Sequence, residues 1–208
     1  MSLAVFFLML ILPNFNTDTI VWLVPAGLVS IGYTIPVIPT KHGWQRFRDI
    51  PFTKPMIIAL VVTYLTMAYP IFEQLGIGRV FSGHYLPLLG ERMLFILAVT
   101  IPFDVRDIVN DKDAGLSTLG TQLGFNQARS VAYTVAAAWM VVILWRWVQF
   151  DFASIFLLQL SLTGTVLMLA LRTLNPSWKD MGYILVFEGM IVLYSLVYVM
   201  GSSFQTLA

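Results

Sequence analysis

The sequence predicts an all-α, polytopic transmembrane helix bundle that forms one integral membrane domain over residues 1–208. The chain is 58% hydrophobic and only 11% charged, whereas a soluble domain carries about 25% charged residues. Its apolar residues are gathered into long runs, most of them close to the ~20 residues that a membrane-spanning helix needs. The net charge of +1 gives no reason to expect nucleic-acid binding, and the absence of cysteine excludes disulfides and thiolate metal sites.

We predict about seven membrane segments. The first, residues 3–13, is only about half a span, and the second, residues 19–38, is a full span interrupted by glycine and proline. The third is residues 56–72. The fourth, residues 93–103, is short but is extended by the leucines that precede it. The last three predicted segments are residues 131–148, 153–171 and 181–200.

The basic residues are distributed unevenly between the two sides that these segments define. Nine of the 12 Lys and Arg residues fall in or beside loops 39–55, 104–130 and 172–180, and the other three are Arg79, Arg92 and Arg146. Because cytoplasmic loops are enriched in Lys and Arg, we expect these three loops to face the cytoplasm. The chain would then be a multi-pass protein of an inner or plasma membrane, in contact with membrane lipids.

Three aspartates, Asp104, Asp107 and Asp111, follow segment 93–103. Steps of three and then four residues return to nearly the same azimuth on an α-helix, so the three carboxylates share one face. Carboxylates stacked in this way repel one another, and a divalent cation with oxygen ligands removes the repulsion. We therefore predict a Mg²⁺ site here. The plainer interpretation is a set of capping or solvated acids at a helix end.

A basic loop is expected to face the same compartment as the aspartates. It contains Lys41, Arg46, Arg48 and Lys54. Arg and Lys beside a carboxylate-bound Mg²⁺ suit a diphosphate group, because the metal bridges oxygens while the cations neutralise the remaining charge. Cytoplasmic loops are also basic for topological reasons alone, so it is the combination with the aspartates that favours a phosphate site.

The residues after segment 93–103 resemble a known family motif. The pattern is Asp-x-x-Asp-x-x-x-Asp over residues 104–111, followed by Gly115, Thr118-Leu119 and Leu123-Gly124. It is similar to the second aspartate-rich motif of the UbiA-type intramembrane prenyltransferases. Residues 32–36, Gly-Tyr-Thr-Ile-Pro, precede the basic loop and resemble the Tyr-Ser-x-Pro turn of the same family.

This resemblance implies helices around a cavity that opens near the cytoplasmic face and towards lipid. It also implies Mg²⁺-dependent transfer of a prenyl group from a polyprenyl diphosphate to an aromatic or other lipid-soluble acceptor, as in quinone biosynthesis. Asp107 and Asp111 would then be catalytic metal ligands, with Asp104 assisting. The diphosphate contacts would come from Lys41, Arg46, Arg48, Lys54 and Lys112.

Two further residues are candidates for the cavity lining. The ring of Tyr33 could stabilise an allylic carbocation, and Glu188, about two turns inside segment 181–200, could act as a base towards the acceptor. The plainer interpretations are packing for Tyr33 and an interhelical hydrogen bond of a buried acid for Glu188.

The first aspartate motif of the family, Asn-Asp-x-x-Asp-x-x-x-Asp, does not occur in this sequence. Residues 1–13 resemble the end of the family's third helix, so we expect the N-terminal part of the family fold to be missing from the chain. Three hypotheses therefore stand: a prenyltransferase, a catalytically inactive family member that binds a prenyl lipid or diphosphate, and a transporter with an acidic ion site. The transporter is suggested by the glycine and proline that interrupt segments 19–38 and 93–103.

Overall fold

The computed structural model describes residues 17–40, 43–150, 154–175, 178 and 180–205. These residues form an all-α fold with one small hairpin, β1 (Ile38–Thr40) paired antiparallel to β2 (Gly43–Gln45). The all-α prediction is therefore confirmed, while predicted segment 3–13 lies outside the described residues. The helices are α1 (Thr17–Thr34), α2 (Thr53–Leu75), α3 (Ile77–Val80), α4 (Tyr85–Arg106), α5 (Ile108–Asp113), α6 (Leu119–Phe150), α7 (Ser154–Thr173) and α8 (180–205).

Four of the described helices are long and apolar enough to cross a membrane: Thr53–Leu75, Tyr85–Arg106, Leu119–Phe150 and Asp180–Val197. Shorter apolar stretches lie in α1 and α7. Many large apolar side chains point outward, as expected of helices that face lipid. These features support a membrane protein. Each predicted segment from residue 19 onward overlaps a helix, but the prediction that residues 19–38 form a full span is wrong, because α1 ends at Thr34 and Ile38 begins β1. The total of seven segments stays a prediction.

Helix α4 is the centre of the bundle, in contact with α2, α6 and α8. Three buried aromatic side chains join it to its neighbours: Phe95 of α4 stacks on Tyr194 of α8 with ring centroids 4.3 Å apart, and Trp139 of α6 lies 5.1 Å from Phe95. Because lipid is as apolar as these side chains, close packing rather than transfer from water holds the helices together.

Helices α4 and α6 run antiparallel and approach closely at Gly120. A Cβ atom at this position would collide with the backbone carbonyl of Asp104 and with the Ile108 side chain. Two flanking glycines have left-handed backbones, Gly115 in the turn before α6 and Gly124 at a kink within it, with φ of 67° and 71°. These glycines therefore fix where the carboxyl end of α4 meets α6.

The loop before α2 is anchored on both sides. The ring of Phe47, in a 3₁₀ turn, lies against Gly32 of α1, where a Cβ would have no room. The hydroxyl of Thr53 donates to the carbonyl of Ile50 at 2.7 Å and also to that of Phe47. This anchoring sets the first turn of α2, and with it Lys54, against the end of α4.

Candidate functional site

The three predicted aspartates converge on one ammonium group. The Nζ atom of Lys54 lies 3.2 Å from Asp104 Oδ1, 3.2 Å from Asp107 Oδ2 and 3.7 Å from Asp111 Oδ2. The common face predicted from their spacing is therefore present, and the first turn of α2 lies at the same end of the bundle. We call these four residues the aspartate–lysine cluster; its metal-binding role stays a prediction.

The backbone keeps its helical path through the cluster although the helix is interrupted. Asp107 separates α4 from α5 and has φ −82° and ψ 0°. Its N–H donates to the carbonyl of Phe103 at 3.0 Å, and its own carbonyl accepts from the N–H of Asp111 at 2.8 Å. Because these bonds retain the i to i−4 pattern, the spacing of three and four residues still aligns the carboxylates.

The cluster carries an excess of negative charge. Arg106 Nε donates to Asp107 Oδ1 at 2.7 Å and lies 3.8 Å from Asp180 Oδ1, on α8. Lys54 and Arg106 thus face three clustered acids, with Asp180 further out and exposed. Asp104 is only 1% exposed, and the Oδ2 atoms of Asp104 and Asp111 are buried without a hydrogen-bond partner. Excess charge is unfavourable in a buried setting.

Asp107 is held in its ionised form. Burial acts to raise the pKa of this carboxyl group, but the hydrogen bond from Arg106 and the positive charges of Lys54 and Arg106 outweigh that effect. The pKa therefore lies below its ordinary value, and the carboxylate is charged at neutral pH.

The remaining predicted diphosphate contacts lie elsewhere. Arg46 pairs with Asp49, with Nε 3.1 Å from Oδ2, and Arg48 Nε lies 4.0 Å from Asp49 Oδ1. Both arginines thus contact an acid of their own turn and not the aspartate–lysine cluster. Lys112 is exposed on α5, and Lys41 lies outside the described residues.

The prediction that Glu188 is a buried acid is wrong, because its side chain is exposed. It ends a π-helical turn over Ile184–Glu188, which inserts one extra residue per turn and shifts the faces of α8.

Tyr33 lies beside an apolar path into the bundle. It lines a cavity of about 260 Å³ between α1 and α2. Its hydroxyl group is close enough to Lys54 and Asp104 of the aspartate–lysine cluster, and to Arg48, for their charges to act on it. A larger groove of about 510 Å³ between α1, α2 and α4 shares Val61 with this cavity. The groove has an almost wholly apolar lining, which includes Pro25, Val29, Leu60, Tyr64, Leu89 and Met93.

A second charged cluster was not predicted. The charge pattern placed Arg92 and Arg146 on the side opposite the basic loops, and Glu91 was not among the predicted site residues. In the structure all three are buried, and the guanidinium of Arg146 donates to the carboxylate of Glu91. The signal that could have found them is the presence of charged residues inside apolar spans, at positions 91–92 and 146.

The part of the chain that the structure describes contains no group of three or more histidine, aspartate or glutamate side chains arranged to hold a metal ion. In the aspartate–lysine cluster, the ammonium group of Lys54 lies where the carboxylates meet. No protein-family model matches the chain, and it has no match among curated proteins or solved structures. Membership of the UbiA-type family stays a prediction.

Proposed function

We propose that this chain is an intramembrane prenyltransferase that uses Mg²⁺ to transfer a prenyl group from a polyprenyl diphosphate to a lipid-soluble acceptor. The observation that supports the proposal is the convergence of Asp104, Asp107 and Asp111 on Lys54. The cavity of about 260 Å³ at Tyr33 lies on the same side of the bundle, and it shares Val61 with the apolar groove of about 510 Å³ that continues towards the amino end of α4. The charged cluster suits a diphosphate and its metal ion, and the groove suits an apolar chain.

The donor set fits Mg²⁺ in its chemistry. Carboxylate oxygens are the ligands that this ion prefers, and Asp104 Oδ2 and Asp111 Oδ2 are buried without a hydrogen-bond partner. Because Lys54 lies at the point where the carboxylates meet, its ammonium group would have to withdraw for a metal ion to bind there. When bound, Mg²⁺ would neutralise the charge that develops on the departing diphosphate.

The protein's own residues would orient and shield the substrate. Lys54, once released from the carboxylates, would donate to phosphate oxygens, and Arg48 would add positive charge on the Tyr33 side of the site. The ring of Tyr33 would face the allylic end of the prenyl chain, where a π-face stabilises positive charge. The apolar side chains of the cavity at Tyr33 would exclude water from the reactive carbon.

A transfer assay with a matched pair of variants tests the proposal. Purified protein in liposomes would receive labelled polyprenyl diphosphates, Mg²⁺ and a panel of aromatic and lipid acceptors. We expect Asp107→Asn to reduce transfer by about 100-fold or more, whereas Asp113→Asn, the same change at an exposed acid, leaves it intact. Transfer that survives both Asp107→Asn and chelation of Mg²⁺ would reject the proposal.

A second candidate is a catalytically inactive protein that binds a prenyl diphosphate. It is favoured by the position of Lys54, which already neutralises part of the charge of the three carboxylates. This candidate predicts retention of the labelled diphosphate with no product, and loss of retention in Lys54→Gln. Product formation by the wild-type chain would exclude it.

A further inference from the structure

The hairpin between α1 and α2 has one apolar face that is exposed. Pro39 of β1 lies directly opposite Trp44 of β2, so their side chains share a face of the hairpin. Val37, two residues before Pro39, belongs to the same face because side chains alternate along an extended chain. All three residues are exposed, and Trp44 is 67% exposed. Gln45, which pairs with Ile38, lies on the opposite face.

The hairpin is held to the bundle, so its apolar face has a fixed direction. The ring of Phe47, just after β2, lies against Gly32 of α1, where a Cβ atom would have no room. The hydroxyl of Thr40 donates to the carbonyl of Gly43 at 2.6 Å, which ties the two strands together next to their turn. The orientation of the exposed face is therefore set by α1.

The hairpin lies next to the start of a candidate membrane span. Gln45 ends β2, and Thr53 begins the span of α2 eight residues later. Part of that connection is coiled into a 3₁₀ turn over Phe47–Asp49, which shortens its reach. A segment this close to a spanning helix lies near the boundary between membrane and water.

The apolar face of the hairpin continues a stripe on α1. Large exposed apolar side chains recur along this helix at intervals of four, three and four residues, which places them on one face. They are Val24, Leu28, Ile31 and Ile35. Such a stripe is typical of a helix surface that faces lipid. It ends two residues before Val37, so the surface that faces lipid extends from α1 to the hairpin.

The side chains around this face suit a lipid headgroup layer. Tryptophan is enriched at membrane boundaries, because its ring is apolar and its N–H can reach polar groups. Arg46 and Arg48 follow Trp44 in the chain, and their side chains are 32% and 36% exposed. Basic side chains next to a membrane span are attracted by the phosphates of lipid headgroups. An apolar face with arginines beside it therefore matches lipid better than it matches water.

We propose that this hairpin lies in the membrane interface, with Val37, Pro39 and Trp44 at the boundary between headgroups and acyl chains. The partner is the bilayer surface itself. Apolar faces of interfacial segments lie ~5–10 Å into this boundary, so the hairpin is anchored without spanning the membrane. The proposal requires that α2 crosses the membrane, but it does not depend on the proposed transferase activity.

Site-directed spin labelling of the full chain tests the proposal. The chain contains no cysteine, so one introduced cysteine carries the only nitroxide. Val37→Cys and Gln45→Cys form a matched pair on opposite faces of the hairpin, and Leu28→Cys on α1 is the lipid-facing reference. In liposomes of phosphatidylcholine and phosphatidylglycerol, collision rates would be measured with oxygen, which concentrates in lipid, and with a water-soluble nickel chelate. We expect the oxygen-to-nickel ratio at position 37 to be several times that at position 45.

Variants of the indole show whether it anchors the hairpin. Trp44→Ser should lower the ratio at position 37 towards that at position 45, whereas Trp44→Phe keeps an apolar ring and should retain most of the ratio. Because Trp44 is largely exposed, neither change removes core packing. Equal access of the nickel chelate to positions 37 and 45 would overturn the proposal. Protection of position 37 in native membranes but not in liposomes would assign the face to a protein partner and would also overturn it.

Discussion

The two ends of helix α4 carry charged clusters of different composition. At its carboxyl end, three acids, Asp104, Asp107 and Asp111, face two cations, Lys54 and Arg106. At its amino end, Arg146 donates to the carboxylate of Glu91, and Arg92 lies over the ring of Tyr194. The carboxyl end therefore concentrates carboxylates, whereas the amino end holds a buried ion pair.

The two clusters also differ in access. At the carboxyl end, the side chains of Lys54 and Asp107 are 19% and 21% exposed, so ions from solution can reach them. At the amino end, Glu91 and Tyr194 are fully buried. An accessible cluster can exchange its partners, whereas a sealed cluster contributes mainly to stability, because a broken buried ion pair costs far more than an exposed one.

The largest expected effect comes from the sealed cluster. Arg146→Gln leaves the carboxylate of Glu91 buried without its guanidinium partner, and we expect a loss of about 3–5 kcal/mol in the free energy of unfolding. Reversible unfolding in mixed micelles measures it. The double variant Glu91→Gln with Arg146→Gln removes both charges and should recover much of the loss; a double variant as unstable as Arg146→Gln would contradict this account.

A smaller loss is expected where α6 meets α4. Gly120→Ala places a methyl group against the carbonyl of Asp104, and we expect destabilisation of about 1–3 kcal/mol because the crowded helices must move apart. The control is Gly83→Ala, where a Cβ meets nothing within 4 Å. Equal melting temperatures for the two variants would show that the close approach at Gly120 is absent.

The smallest effect on stability should come from the accessible cluster. Lys54→Gln removes the cation shared by three carboxylates, and we expect a loss of about 1–2 kcal/mol, limited by partial exposure to solvent. Added Mg²⁺ should stabilise this variant more than wild type, because the ion no longer competes with an ammonium group. Thermal unfolding with and without Mg²⁺ measures this, and an equal response of both proteins would argue against competition at the site.

The sequence predicted local features of the site better than distant contacts. The common face of Asp104, Asp107 and Asp111 follows from helical spacing, so it could be predicted from one short stretch. Lys54 was expected to contact a diphosphate, but its contact with Asp107 joins residues 53 positions apart, and periodicity carries no information at that range. For the same reason the pairing of Glu91 with Tyr194, 103 positions apart, could not be predicted.

The helical class followed from composition and from the lengths of the apolar runs, which need no tertiary information. Position within an apolar run did not show which side chains are buried. Glu188 is the clear case, because it lies inside segment 181–200 and yet its side chain is exposed. It belongs to a π-helical turn over Ile184–Glu188 that no local residue pattern indicated.

Titration of the purified protein with Mn²⁺, followed by electron paramagnetic resonance with inorganic diphosphate present, measures metal binding at the aspartate–lysine cluster. We expect saturable Mn²⁺ binding by wild type and by Asp113→Asn, and binding at least about tenfold weaker in Asp107→Asn, which loses a carboxylate ligand. Equal Mn²⁺ affinity in wild type and Asp107→Asn, or no Mn²⁺ bound by wild type, would contradict a metal and diphosphate site at the carboxyl end of α4.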